Sequence, residues 1–178
     1  MNARAALAFA LVFAPVAAAQ APQADPWEPV RFLEGEWRGT ASGNAGEGTV
    51  SRKYEFVMNG RYLHEKNVST YPVQEKNRKG EVHEHWSFIS HDRARKQLVL
   101  RQFHVEGFVN QYVYAPDKST STRRVFESEG FENFSSKWRA RETYEIAGPD
   151  EIVEIFELAP PDKPFETYST NRLRRVRS

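Results

Sequence analysis

The 178-residue chain has no cysteine, only two methionines, and no apolar run long enough to span a bilayer comfortably. Without thiols there is no disulfide framework and no cysteine nucleophile, so the fold must be held by its core alone. A G-x-S-x-G elbow is also missing, and no serine is placed by pattern beside a histidine and an acid. Gly43, Gly46 and Gly48 make a flexible loop, but no helix follows it as phosphate binding would require. Charge of one sign is lacking too: the formal net charge is +1. That balance argues against a nucleic-acid partner or an anionic membrane surface.

The opening, MNARAALAFALVFAPVAAAQA, has one arginine, an apolar stretch and small residues at Ala17 and Ala19. This is the pattern of a secretory signal peptide over residues 1–19, cut after Ala19, and it implies a periplasmic or secreted protein. No cysteine follows the cut, so no lipoprotein anchor is expected. Removing the leader takes away one arginine and no acid, leaving 24 basic and 24 acidic residues. About 160 mature residues suffice for one domain that buries about two-thirds of its unfolded surface. Two N-x-S sequons, at Asn67 and Asn133, match a glycosylation signal.

Residues 20–35 read as an extension ending in a short helix, with Asp25 as N-cap, Pro26 in the first turn and Gly35 after the last. From residue 36 to 178 the chain alternates apolar and polar residues in short runs separated by turn residues. The runs start near Trp37, Val50, Arg61, Glu81, Gln97, Phe108, Ser121, Lys137, Glu151 and Phe165. Asn59-Gly60 is the sharpest hairpin signal among the connections. Ten short strands with tight connections predict an all-β, up-and-down antiparallel barrel, with the short helix closing one end. The arginines of the closing RLRRVRS are read as a solvated last strand.

The phrase FLEGEWRG, the YEFVMNGRYLHEKN hairpin and the arginine-rich last strand resemble bacterial lipocalin-like (calycin) domains of unknown function. More distantly they resemble nitrobindin-type heme-binding barrels. The resemblance implies that Trp37 closes one end beneath an arginine of the last strand, Arg172 or Arg174. The chain departs from nitrobindins in having no Tyr-Pro after its glycine-rich opening and no histidine after His104. That family's heme ligand is therefore missing, and neither heme nor another cofactor is expected.

The stretch HEHWSFISHD, residues 83–92, carries three of the five histidines. Residues two apart in a strand share a face, so His83 and His85 point one way and Glu84, Trp86 and Phe88 the other. An even turn centred between Arg93 and Ala94 would set His104 opposite His83. Carried through the Glu106-Gly107 turn, the pairing sets Phe103 against Asn110 and Arg101 against Tyr112. The second face then gathers Trp86, Phe88, Phe103, Phe108, Tyr112 and Tyr114. Burying those aromatics outweighs burying imidazoles at about 25 cal/mol per Å² of apolar area. The aromatic face is accordingly expected inside and the histidines outside. On the later strand Trp138, Glu142 and Tyr144 are expected inward and Arg139, Arg141 and Thr143 outward.

These choices predict a binding barrel for a small, largely apolar or amphipathic molecule. Arg101 would orient its polar head among Glu84, Trp86, Phe103, Asn110 and Tyr112. No metal is favoured. The alternative is a metal-dependent enzyme built on His83, His85 and His104, since an H-x-H and a neighbouring histidine can hold Zn²⁺ or Fe²⁺. A third reading is an envelope protein of structural or interaction type without a ligand.

Overall fold

The structure is a computed structural model that describes residues 25–177; the leader assigned to residues 1–19 lies outside the described residues. Ten strands follow one another: β1 (Gly35–Gly43), β2 (Gly48–Val57), β3 (Tyr62–Tyr71), β4 (Glu81–Asp92), β5 (Gln97–His104), β6 (Val109–Tyr114), β7 (Arg123–Glu132), β8 (Arg139–Gly148), β9 (Glu151–Ala159) and β10 (Glu166–Arg175). Each pairs antiparallel with its sequence neighbour, and β10 returns to β1 to close the barrel. Every strand starts within two residues of the position read from the alternation. Among the described residues no helix is long and apolar enough to cross a membrane.

Among the described residues no α-helix forms ahead of β1. Turns over 26–30 and a single 3-10 turn, Arg31–Leu33, take its place. Pro29 lacks the N–H that a regular helix needs there, and Val30 leaves helical backbone at φ −127°. The segment nevertheless plugs one barrel end, with Val30 and Leu33 fully buried. Trp37 donates its indole N–H to the Leu33 carbonyl at 2.7 Å, and the Arg175 guanidinium lies 4.2 Å above the indole ring. Arg175 also donates to the Phe32 carbonyl at 2.7 Å. The stacking arginine is therefore Arg175 rather than Arg172 or Arg174. Cross-strand pairing sets Trp37 opposite Arg175, and alternation turns the other two outward.

Two hairpin turns decide which residues face inward. Between β4 and β5 the loop is Arg93–Lys96, held by Asp92, whose carboxylate accepts the Ala94 and Arg95 N–H groups at 3.0 and 3.1 Å. The pairing is therefore two residues from the expected one: His85, not His83, faces His104. A shift of two keeps the face. Between β5 and β6 the loop is Val105-Glu106-Gly107, with Gly107 in left-handed backbone at φ +86° and the His104 N–H bonded to the Phe108 carbonyl. Here Gln102 faces Asn110 and Leu100 faces Tyr112, one residue from the expected register. An offset of one moves a whole strand to the other face. Asn110 and Tyr112 consequently join the histidine side.

The inward positions form layers. At the plugged end Leu33, Trp37, Tyr54, Leu63, Leu100, Phe126, Tyr144, Ile152 and Leu173 make one apolar cluster. One step along each strand the same face turns polar, as Ile89 gives way to Ser87 and His85 on β4, and Ile152 to Glu154 on β9. Asn67 lies in this polar layer with 1% exposure, so its sequon is sealed inside the folded barrel.

Candidate functional site

Above the polar layer the barrel opens into a cavity of about 630 Å³. Its rim is formed by Phe108, Phe131, Phe134, Trp138, Phe156 and Tyr168. The floor is a network centred on Arg52. Its guanidinium forms a two-pronged pair with Glu154 and donates to Asn67 Oδ1 at 2.8 Å and to the Tyr54 hydroxyl at 3.2 Å. Tyr54 in turn donates to Glu65 at 3.1 Å, and Asn171 donates to Glu154 at 2.6 Å. Gln102 donates to Glu142 at 3.3 Å on another side of the floor.

The charges in this layer are set by their neighbours. Burial alone would raise the Glu65 carboxyl, but Arg52 and then His85 draw it down to about 2, so it is ionised. Glu142 goes the other way: burial, followed by the charge of Glu154, holds its carboxyl well above the ordinary 4.5. The floor therefore sets an ionised Glu65 beside Arg52, while the Glu142 carboxyl holds its proton more tightly than an exposed one would. Burial likewise raises the phenols of Tyr54, Tyr112 and Tyr144.

One wall carries the histidines. His83 and His85 alternate along β4, and His104 stands across from His85 on β5; all three line the cavity. Their ring centroids are 5.2 to 5.7 Å apart. His83 Nε2 lies 3.3 Å from His104 Nδ1, and His83 Nδ1 lies 2.8 Å from Glu106. His104 Nε2 is 3.2 Å from the Asn110 amide, which also donates to the Tyr112 hydroxyl at 3.0 Å. Burial, followed by the neighbouring His85 and His83, pushes the His104 imidazolium pKa down to about 2, leaving a neutral ring.

The residues expected at the ligand divide by face. Asn110 and Tyr112 are buried inside, whereas Glu84, Trp86, Arg101 and Phe103 sit on the outer surface. Trp86 and Phe103 are 47% and 45% exposed. Glu84 accepts the Trp86 indole N–H, and Arg101 is taken up by Gln111 and Ser90 on the same outer face. On β4 and β5 the aromatics Trp86 and Phe103 thus lie outside and the imidazoles inside, the reverse of the area argument, while Tyr112 and Phe108 of the same expected set lie inside. At the start of β8 the expected faces hold in part: Trp138, just before the strand, and Glu142 line the cavity and Tyr144 is buried, but Thr143, expected outward, is fully buried too. Arg52, Glu65, Gln102 and Glu154 were missed. For Arg52 and Glu154 the signal is a charged residue flanked at i±2 by apolar ones, in Val50-Arg52-Tyr54 and Ile152-Glu154-Phe156; Glu65 and Gln102 have an apolar neighbour on one side alone, Leu63 and Leu100.

No protein-family model matches the chain, and no curated protein does. Among solved structures it is similar to Rv2717c from M. tuberculosis, with a TM-score of 0.60 over 86% of this chain and 99% of that one. Identity is 17%. The likeness is one of fold.

Proposed function

We propose that the chain is an exported barrel that binds a small amphipathic molecule in its interior, polar end down. The observation that carries this reading is the one-ended cavity of about 630 Å³, polar at its floor and aromatic at its rim. Small-molecule sites typically enclose about 300–1,000 Å³ with a few convergent polar groups. Among the described residues that line the cavity, Asn171 Oδ1, Glu142 Oε2 and His85 Nδ1 are buried without a hydrogen-bond partner. Such groups are costly unless something bonds them. A ligand's polar head would supply partners at the floor while its apolar part lies against Phe131, Trp138 and Phe156. The depth of that polar layer favours the amphipathic cargo of the two expected, apolar or amphipathic. A filled, ligand-free structural core is disfavoured by the same cavity. Export is supported by the leader pattern at 1–19 and the absence of cysteine.

The test uses untagged, metal-stripped protein titrated with the amphipathic dye 8-anilinonaphthalene-1-sulfonate, with native mass spectrometry for co-purified organic mass. Saturable one-to-one dye binding, weakened several-fold by Trp138→Ala, is expected. Folded protein without saturable binding would overturn the reading.

A further inference from the structure

Three imidazoles from two adjacent strands converge where the cavity wall meets the polar layer. One ring nitrogen of each of His83, His85 and His104 lies within 4.8 Å of the others. The closest pair, His83 Nε2 and His104 Nδ1, is 3.3 Å apart. That is the edge of a tetrahedron about an ion with Zn–N bonds of about 2.0–2.1 Å. We propose that His83, His85 and His104 form a mononuclear site for a divalent transition-metal ion, Zn²⁺ foremost, with a coordination position open to the cavity. An oxygen donor of the bound molecule would fill that position, which rests on the interior-binding reading; the metal site itself does not.

The surroundings of each ring favour this use. Metal-binding histidines usually hold their second nitrogen on a carboxylate, carbonyl or water, which fixes the tautomer and orients the ring. Glu106 does so for His83 at Nδ1, leaving Nε2 for the ion. The Glu65 carboxylate lies 3.4 Å from His85 Nε2, leaving Nδ1. Asn110 meets His104 at Nε2, leaving Nδ1. Turning the Asn110 amide by 180°, which exchanges two nearly indistinguishable atoms, lets its oxygen accept from both His104 Nε2–H and the Tyr112 hydroxyl. His85 adds a second observation: it is 7% exposed, lines the cavity, and its Nδ1 has no hydrogen-bond partner. An all-imidazole set suits Zn²⁺, Cu²⁺, Ni²⁺ or Fe²⁺ rather than Ca²⁺ or Mg²⁺.

A rival placement exists at the mouth, where Glu81, His83 and Glu106 also come together. The two are separable by substitution. Untagged protein stripped with EDTA is titrated with Zn²⁺ by calorimetry and with Co²⁺ by visible absorption, with far-UV circular dichroism on every variant. One ion per chain is expected, with tetrahedral cobalt bands. His85→Ala and His104→Ala should each weaken binding at least 100-fold, Asn110→Ala about 10- to 100-fold, and Glu81→Gln less than threefold. If a histidine variant fails to fold, Asn110→Ala and Glu81→Gln still decide. Wild-type affinity no better than that of folded His85→Ala would overturn the proposal, as would binding that survives Asn110→Ala but is lost in Glu81→Gln. Dye binding by the stripped protein reports the cavity separately, so either reading can fail while the other stands.

Discussion

Arg52 on β2 and Glu154 on β9 meet across the barrel interior with their side chains 3% exposed, Nη2 and Oε2 being 2.5 Å apart. In the closed sheet β1 and β10 lie between their strands, so this pair reaches through the interior past two strands rather than joining neighbours on the wall. Removing one partner leaves an uncompensated buried charge, which costs about 3–5 kcal/mol. Glu154→Ala is expected to lose that much, lowering the melting temperature by roughly 6–20 °C at about 2–4 °C per kcal/mol for a domain of this size. Replacing both residues by leucine and methionine should cost less than the two single changes combined, as a thermal double-mutant cycle would show.

Glu142 gives the stability a pH dependence of definite sign. Its folded carboxyl titrates well above the 4.5 of the exposed group, mainly through burial. Between those two values the folded chain holds a proton that the unfolded chain has lost, so this residue makes stability fall as pH rises above about 4.5. Glu142→Gln stays neutral throughout and removes that slope. Urea midpoints measured from pH 4 to pH 8 should show the variant gaining on wild type as pH rises, with the difference levelling off below pH 4. A parallel pair of curves would contradict the protonated floor.

The outer aromatic stripe should be dispensable for binding. Trp86 and Phe103 are about half exposed, and Arg101 is engaged by Gln111 and Ser90 outside the barrel. Arg101→Ala and Trp86→Ala are expected to leave dye affinity within twofold of wild type and to cost less than about 1 kcal/mol in stability. Trp138→Ala, on the rim, should weaken the dye several-fold in the same titration.

The contrast between those two sets shows where sequence reasoning stops. Strand positions were legible because alternation and turn residues repeat ten times and each strand must bury one face. The face shared by His83, His85 and His104 was legible for the same reason, and it survived a two-residue register shift at Asp92–Gln97. What alternation alone does not reveal is which face is inside. Apolar area pointed to Trp86 and Phe103, but the polar layer of this cavity buries the imidazoles of the same two strands and leaves those two aromatics outside. Asn110 and Tyr112 depended on one residue, Val105, joining Glu106 and Gly107 in the turn, an odd loop that the left-handed Gly107 at φ +86° accommodates.

The seam that closes the barrel depends on Gly39. A Cβ at that position would sit 1.8 Å from the Arg172 carbonyl oxygen and 3.0 Å from the Leu173 Cα, which are backbone atoms of β10 and cannot rotate away. Gly39 pairs with Leu173 in the β1–β10 ladder, so relief requires the two strands to part. Gly39→Ala is expected to cost at least about 3 kcal/mol, the upper end of overpacking penalties. Gly60 provides the comparison: its backbone is left-handed at φ +73°, but a Cβ there meets nothing within 4 Å. Gly60→Ala should lose only the backbone term, about 1–2 kcal/mol. Chemical denaturation of the two variants separates steric closure from turn strain, and amide exchange on β1 and β10 should accelerate in Gly39→Ala alone. Equal losses with unchanged exchange at the seam would mean that β1 and β10 close with room to spare.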